Sequence, residues 1–475
     1  MGSFPNRLIF ILVLSLLVLY PSLAPAQTIN VGTAAALQSA VASANGSGGS
    51  TTIVLADGTY TLSNTLYINA PNVTITSQSG NRTRVVIQGD AMSATAAVGN
   101  LIRVAASNFT IQNLTLQRSG WHLIQIAGET NADSPVVRNV IFRDAYEQML
   151  KVSNDPANPN VTGDNGIVEN SLFEYTAGIG PQYYIGGIDA HGSKNWIIRG
   201  NTFRNIISPS GSAAEHAVHI WDAPSTNNLV EKNLIINCDR GIGFGLGDRG
   251  SSGGIIRNNM IYHAAGNGAF ADVSIGLETS PNTQVYNNTI FLENGYPNAI
   301  EYRFPATTGV TIVNNLTNRV VQQRDGASGT VTKNVTNAAS SWFVSPASGN
   351  LHLSSAISTV AGMGQAVSGL VDDFDSQSRP AGSPIDIGAD QFLNGISARN
   401  NIFHRNMRVA NSGNFTHTNN LYYMVNGAGV GYSLASGEKG NPMYVDLGTR
   451  NVNLQSSSPA IDAGTRRLGT GHWRL

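Results

Sequence analysis

The sequence predicts an all-β solenoid, a stack of coils each built from short parallel strands, and three observations predict it. The pattern apolar-x-Asn-x-x-apolar recurs from Ile111 through Val137, Val168, Ile198, Val230, Ile256 and Val285 to Ile312, at intervals of 26 to 32 residues. Asn fills the third position at Asn113, Asn139, Asn170, Asn258, Asn287 and Asn314, with Gly200 and Lys232 as exceptions. Between Tyr184 and Phe304, five β-favouring strands precede the Asn-bearing ones: YIGGIDAH, HAVHIWD, GIGFGLG, DVSIGLE and NAIEYRF. A period of this length in β-formers describes one unit that buries its apolar face only against its neighbours.

Composition agrees and narrows the function. Of 475 residues, 51 are Gly, 12% are charged, and the net charge is -1. That balance excludes a nucleic-acid binder and suits a turn-rich β protein. At the amino end, Arg7, the apolar run Leu8 to Tyr20 and Ala24-Pro25-Ala26 have the layout of a secretory signal peptide over 1–26, so the mature chain is expected to begin near Gln27. No later stretch is apolar enough to span a membrane, and a monomer is expected. The single cysteine, Cys238, can form no internal disulfide and reads as a small core residue.

The first mature segment spaces Leu37, Val41 and Ala44 as one face of a short helix, followed by two strand-like runs in TTIVLADGTYTL. A helix there would cap the open end of the solenoid. In the repeats, Asn suits a bend because it tolerates turn geometry, and its amide can bond the equivalent amide one coil away. Residues 350–392 read as a closing segment. Residues 393–475, where ARNNIFHR imitates a ladder coil and NVNLQSSSPAIDAG echoes the closing segment, read as a partial duplicate of both.

The Asn ladder, coil length and capping segment together resemble the pectate-lyase-like right-handed parallel β-helix superfamily, over roughly 28 to 392. The resemblance implies a right-handed parallel β-helix with a short capping helix. Its members include polysaccharide lyases, hydrolases, esterases, epimerases and noncatalytic surface proteins, so the scaffold leaves activity open.

Candidate chemistry lies on the outward side of the five strands. With Ile188, Ile220, Phe244, Ile275 and Tyr302 set inward at one shared register, alternation turns Gly187, His219, Gly243, Ser274 and Glu301 outward, together with Asp189, Trp221, Gly245, Gly276 and Arg303. The glycine strand Gly241 to Gly247 then forms a groove floor, with His219, Trp221 and Asp222 on one wall and Ser274, Glu278, Glu301 and Arg303 on the other. Asp189-Ala190-His191 resembles the Asp-Pro-His motif of β-helical mannuronan C5-epimerases, with Ala190 replacing proline; a neutral His191 oriented by Asp189 is a general-base candidate. His219 and Lys151 are further base candidates. Arg303, held by Glu301, matches a substrate carboxylate. Trp221 offers a plate for a sugar ring, and Asp222, Glu278, Glu301 and Ser274 offer polar contacts. His216 and His219, three apart on a strand, are expected on opposite faces and so not to share a metal.

These residues suit a secreted lyase that cleaves a uronate-containing polysaccharide by β-elimination, which needs a group to neutralise the carboxylate and a base to take the neighbouring proton. A calcium ion held by Asp189 and Glu278 is an optional cofactor. The alternatives are a glycoside hydrolase using paired carboxylates, a C5-epimerase, or a noncatalytic carbohydrate-binding surface protein.

Overall fold

In the computed structural model, residues 26–380 and 384–392 are described, together with the backbone of a few short strands beyond them. Three parallel sheets of 12, 10 and 10 strands run along one axis, and each turn of the chain contributes a strand to each. This is the right-handed parallel β-helix that the repeat and its resemblance predicted. Every coil turns an Ile, Val, Leu or Phe row inward, and the interior includes a stack of Phe142, Phe173 and Phe203 with ring centroids 4.4 and 4.7 Å apart.

Helix α1 (Ala34–Gly46) starts at Thr33, whose hydroxyl accepts the Ala36 N–H, and buries Leu37, Ala40, Val41 and Ala44 over the first coil. The solenoid's apolar interior is thereby covered at that end.

The eight bends predicted from the Asn pattern are real, and the backbone explains their composition. Asn113, Asn139, Asn170, Gly200, Lys232, Asn258, Asn287 and Asn314 all have φ between 52 and 62°, a left-handed conformation that Gly and Asn enter at least cost. The continuous buried amide ladder, however, lies one residue later. Asn201, Asn233, Asn259, Asn288, Asn315 and Asn334 pass side-chain hydrogen bonds of 2.9 to 3.1 Å from coil to coil. The third position supplies the turn, and the fourth closes the buried polar groups that the turn creates.

The closing segment folds back outside the solenoid. Phe343, Leu351, Leu353 and Ile387 pack on Met260, Tyr262, Phe291 and Leu316 of one sheet, while Leu370 and Ile385 pack on Tyr286 and Val313 of another. Buried Arg379 fastens it, donating to the carbonyls of Asp372, Asp386, Gly388 and Ala389 and to the side chains of Asn258 and Gln391. Two sheets carry this cover on their outer faces; the third carries the candidate chemistry. The segment 1–26, expected to be a signal peptide, lies outside the described residues except Ala26. So does the segment 393–475, expected to be a partial duplicate, apart from strand pairs such as Ser397–Arg399 with Thr416–Thr418. Among the described residues no helix is long and apolar enough to cross a membrane.

Candidate active site

Six consecutive strands of the third sheet build the site: β1 (Gln148–Ser153), β2 (Gly186–His191), β3 (His216–Trp221), β4 (Arg240–Phe244), β5 (Ile275–Glu278) and β6 (Asn298–Arg303). Most expected faces hold, but Gly187, expected outward, turns toward the core, where a Cβ would come within 2.8 Å of the Phe203 ring, and the shared register does not hold. Ile188 pairs with Val218, and Phe244 with Leu277 and then Tyr302. Two strands are therefore displaced by two residues, because the turns between strands differ in length. The outward row becomes Lys151, Asp189, His219, Gly243, Gly276 and Glu301, with His191 beside Trp221 and Glu278 beside Arg303 in the next row. Ser274, expected outward in that row, is displaced from it by Gly276 and is buried.

The corrected register brings Lys151, Asp189 and His191 into contact. The Lys151 ammonium donates to Asp189 Oδ2, and to His191 Nε2 at 2.7 Å. Trp221 Nε1 donates to Asp189 Oδ1 at 2.6 Å. Burial alone would raise the Asp189 carboxyl; the His191 hydrogen bond and the charge of Lys151 instead hold it well below the usual carboxylate range. An ionised Asp189 holds the Lys151 ammonium and the His191 ring over it. His191 is the most accessible of the three, and its Nδ1 lies 3.9 Å from Asp222 Oδ2, which in turn accepts from Asn154 at 3.1 Å.

Trp221 and His219 take different parts from those expected. Trp221 is only 8% exposed. The His191 ring centroid lies 4.0 Å from that of Trp221, and the Arg249 guanidinium sits 4.0 Å over the same ring. Trp221 is therefore a wall that holds Asp189, not a sugar plate. His219 is 1% exposed and donates through Nε2 to the Gly245 carbonyl at 3.2 Å, so it supports the site from beneath and cannot be the base that meets substrate. Exposed Arg249 sits in a turn, where no strand pattern marks it in the sequence; among the described residues it carries no ion pair. Tyr67, 52% exposed on the outward row three coils before Lys151, is a better-placed aromatic surface.

His122 likewise escapes the strand pattern. Its ring is buried at the edge of the site, with Nδ1 2.8 Å from the Gln148 carbonyl and Nε2 3.7 Å from Glu147. Burial, and then the charge of Lys151, lower its pKa from 6.5 to about 4. The unfolded imidazole takes up its proton near 6.5 and the folded one only near 4, so between these values the unfolded state binds more protons. Folding stability should fall by roughly 3 kcal/mol as pH drops through that window and level off below it. The difference in urea midpoint between pH 7 and pH 4.5 should shrink in His122→Gln.

The second group lies apart. Arg303 pairs with Glu278 at 3.2 Å and Asp325 at 2.8 Å, not with Glu301. Glu301 is 2% exposed and saturated by Tyr296, Asn298 and Arg324 at 2.6 to 2.8 Å, as a structural anion. At ~4.8 Å per coil, Arg303 lies some four coils from His191. The glycine strip between the groups is not a bare floor. The His216 ring lies over Gly243, where a Cβ would come within 2.6 Å of it, and a Cβ on Gly241 or Gly245 would strike the Ser274 or Glu278 carbonyl. Close packing thus accounts for these glycines. Cys238 is the expected core residue, its thiol pushed up to about 12 by burial.

No family model matches the sequence, and no curated protein matches it. Among solved structures, the pectate lyase Pel9A aligns with 78% of this chain and 97% of its own, at 15% identity and a TM-score of 0.51. The likeness is one of fold, the parallel β-helix. An alginate lyase from Paenibacillus sp. str. FPU-7 aligns at 14% identity over 57% of this chain and 95% of its own, with a TM-score of 0.38. The A-module of an Azotobacter vinelandii mannuronan C-5 epimerase aligns at 18% identity over 64% and 95%, with a TM-score of 0.28. The chemistry of this parallel β-helix rests on its own side chains.

Proposed function

We propose that this chain is an exported polysaccharide lyase that cleaves a uronate-containing glycan by β-elimination at the Lys151–Asp189–His191 cluster. The observation that carries the reading is the direct contact of an ammonium and an imidazole above one ionised, buried carboxylate. With Lys151 donating to Nε2, that nitrogen holds the imidazole lone pair. Substrate entering between the two groups would leave His191 Nε2 to take the C5 proton. The electron pair then forms the C4–C5 double bond, the bond from C4 to the glycosidic oxygen breaks, and Lys151 protonates the departing oxygen. Arg249, beside Trp221, is the cation placed to neutralise the uronate carboxylate and stabilise the charge that develops on it.

Carboxylate donors leave little room for a calcium ion shared by Asp189 and Glu278: Asp189 is already paired with Lys151 and Trp221, and Glu278 lies on β5, three strands from Asp189, paired with Arg303. The residues present do not fit that ion, and no step is routed through it.

The test is ultraviolet absorbance during incubation with alginate, pectate, glycosaminoglycans and neutral glycans, with reducing ends followed in parallel. Absorbance should rise on one uronate polymer and not on the neutral ones. New reducing ends without absorbance would move the assignment to hydrolysis; deuterium exchange at C5 without cleavage would indicate epimerisation; no reaction on any polymer would leave a binding protein. Arg249→Ala should raise KM about tenfold or more on the responsive polymer while leaving the melting temperature within a few degrees, because an exposed guanidinium contributes little to folding.

A further inference from the structure

His216 and His219 lie on the same side of the sheet, contrary to strict alternation. Ala217 and Val218 both enter the core, so β3 turns two successive side chains inward and brings the flanking histidines together, with ring centroids 4.2 Å apart. Glu215, immediately before the same strand, joins them. His219 Nδ1 is 3.4 Å and His216 Nδ1 3.9 Å from Glu215 Oε2, and one ligand atom of each residue lies within 4.8 Å of the others.

Both Nδ1 atoms are buried without a hydrogen-bond partner, in residues 8% and 1% exposed. Orphaned buried polar atoms are costly and call for an explanation. We propose that Glu215, His216 and His219 form a binding site for a divalent transition metal of the zinc class, through Nδ1 of each imidazole and one carboxylate oxygen.

Three details support it. The Nε2–H of His219 donates to the Gly245 carbonyl, which fixes the tautomer that leaves the Nδ1 lone pair free, the arrangement by which a backbone acceptor orients a metal-bound imidazole. The His216 ring lies against Gly243, where a Cβ would come within 2.6 Å of it, so the bare glycine leaves room for the imidazole to lie beside His219 with its Nδ1 toward Glu215. Tetrahedral zinc with bonds of about 2.0 to 2.1 Å separates its ligand atoms by about 3.3 Å, so the observed 3.4 and 3.9 Å need only a small contraction. Two nitrogens and one oxygen suit zinc, cobalt or nickel better than calcium or magnesium, which prefer oxygen.

The site stands behind the proposed catalytic cluster, since His219 Nδ1 is 3.9 Å from Asp189 Oδ1. Its metal would hold β3 in its double-inward conformation and is not required to touch substrate. The inference does not depend on the polysaccharide reading.

The test uses the full chain, stripped with chelator and dialysed, then titrated with zinc or cobalt chloride alone. About one equivalent of zinc should remain after gel filtration, the melting temperature should rise with added zinc, and cobalt should give the intense visible bands of a tetrahedral site with nitrogen ligands. His216→Gln and Glu215→Gln should each reduce retained zinc at least tenfold. If a variant fails to fold by circular dichroism, the cobalt spectrum and zinc retention of the unaltered protein still decide. Retention below about 0.1 equivalent, or no tetrahedral cobalt bands, would overturn the site whatever the glycan assays show. Equal retention in a folded Glu215→Gln or His216→Gln variant would overturn the assignment of ligands.

Discussion

Replacing Lys151 with arginine is expected to lower kcat about 10³-fold on the polymer that responds, with KM changed less than about threefold. Arginine preserves a cation against Asp189, but a guanidinium does not surrender its proton to a departing oxygen. His191→Gln should fall by a similar factor, since it removes the lone pair that receives the C5 proton. Lys151→Ala makes a different comparison. It leaves the 3% exposed Asp189 carboxylate without its ammonium, and losing one partner of a buried ion pair destabilises by about 3 to 5 kcal/mol. A stopped assay on Lys151→Ala alone would therefore confuse unfolding with lost chemistry. Lys151→Arg, checked by circular dichroism and melting temperature, separates them. Retention of more than about a tenth of the activity would remove Lys151 from the role of acid and leave His191 to be explained without it.

The contrast between the two halves of the site shows what the sequence carried. Alternation along a strand is local, so Lys151, Asp189, His191 and Glu278 could be placed on the outer face from the sequence alone. Which of them are neighbours depends on turn length, and a common offset of 10 residues from Ile188 to Ile198 and Ile220 to Val230 concealed a two-residue shift. The offset aligns Ile188 with Ile220, whereas the backbone aligns it with Val218. Arg303 and Glu301, two residues apart in one strand, engage different partners in the molecule. Arg249 and His122 lie where no periodicity marks them, in a turn and just before a strand; only the fold puts them beside Trp221 and Lys151. The expectation that His216 and His219 diverge fails for a related reason: β3 departs from strict alternation where Ala217 and Val218 both fit inside.

The largest effect on stability is expected at Asn259, one residue beyond the Asn of the repeat motif. Its amide donates to the Val230 carbonyl at 3.0 Å and to Asn288 Oδ1 at 2.9 Å, and its oxygen accepts from the backbone and side-chain amides of Asn233 at 2.9 and 3.0 Å. Asn259→Ala would leave these groups buried without partners in three coils, at about 1 to 3 kcal/mol each, so a loss of about 4 kcal/mol or more is expected. Asn139 occupies the turn position, at φ 53°, and is half-buried. Asn139→Gly should cost no more than about 1 kcal/mol, because glycine enters the left-handed region freely and only one ladder bond, the 2.8 Å contact to Asn113, is lost. Urea midpoints for the pair should therefore differ severalfold in their displacement from the unaltered protein. Equal displacements would mean that turn conformation, not amide satisfaction, governs the repeat. The expected inequality explains how Gly200 and Lys232 can stand at the turn position while Asn201 and Asn233 beside them continue the ladder.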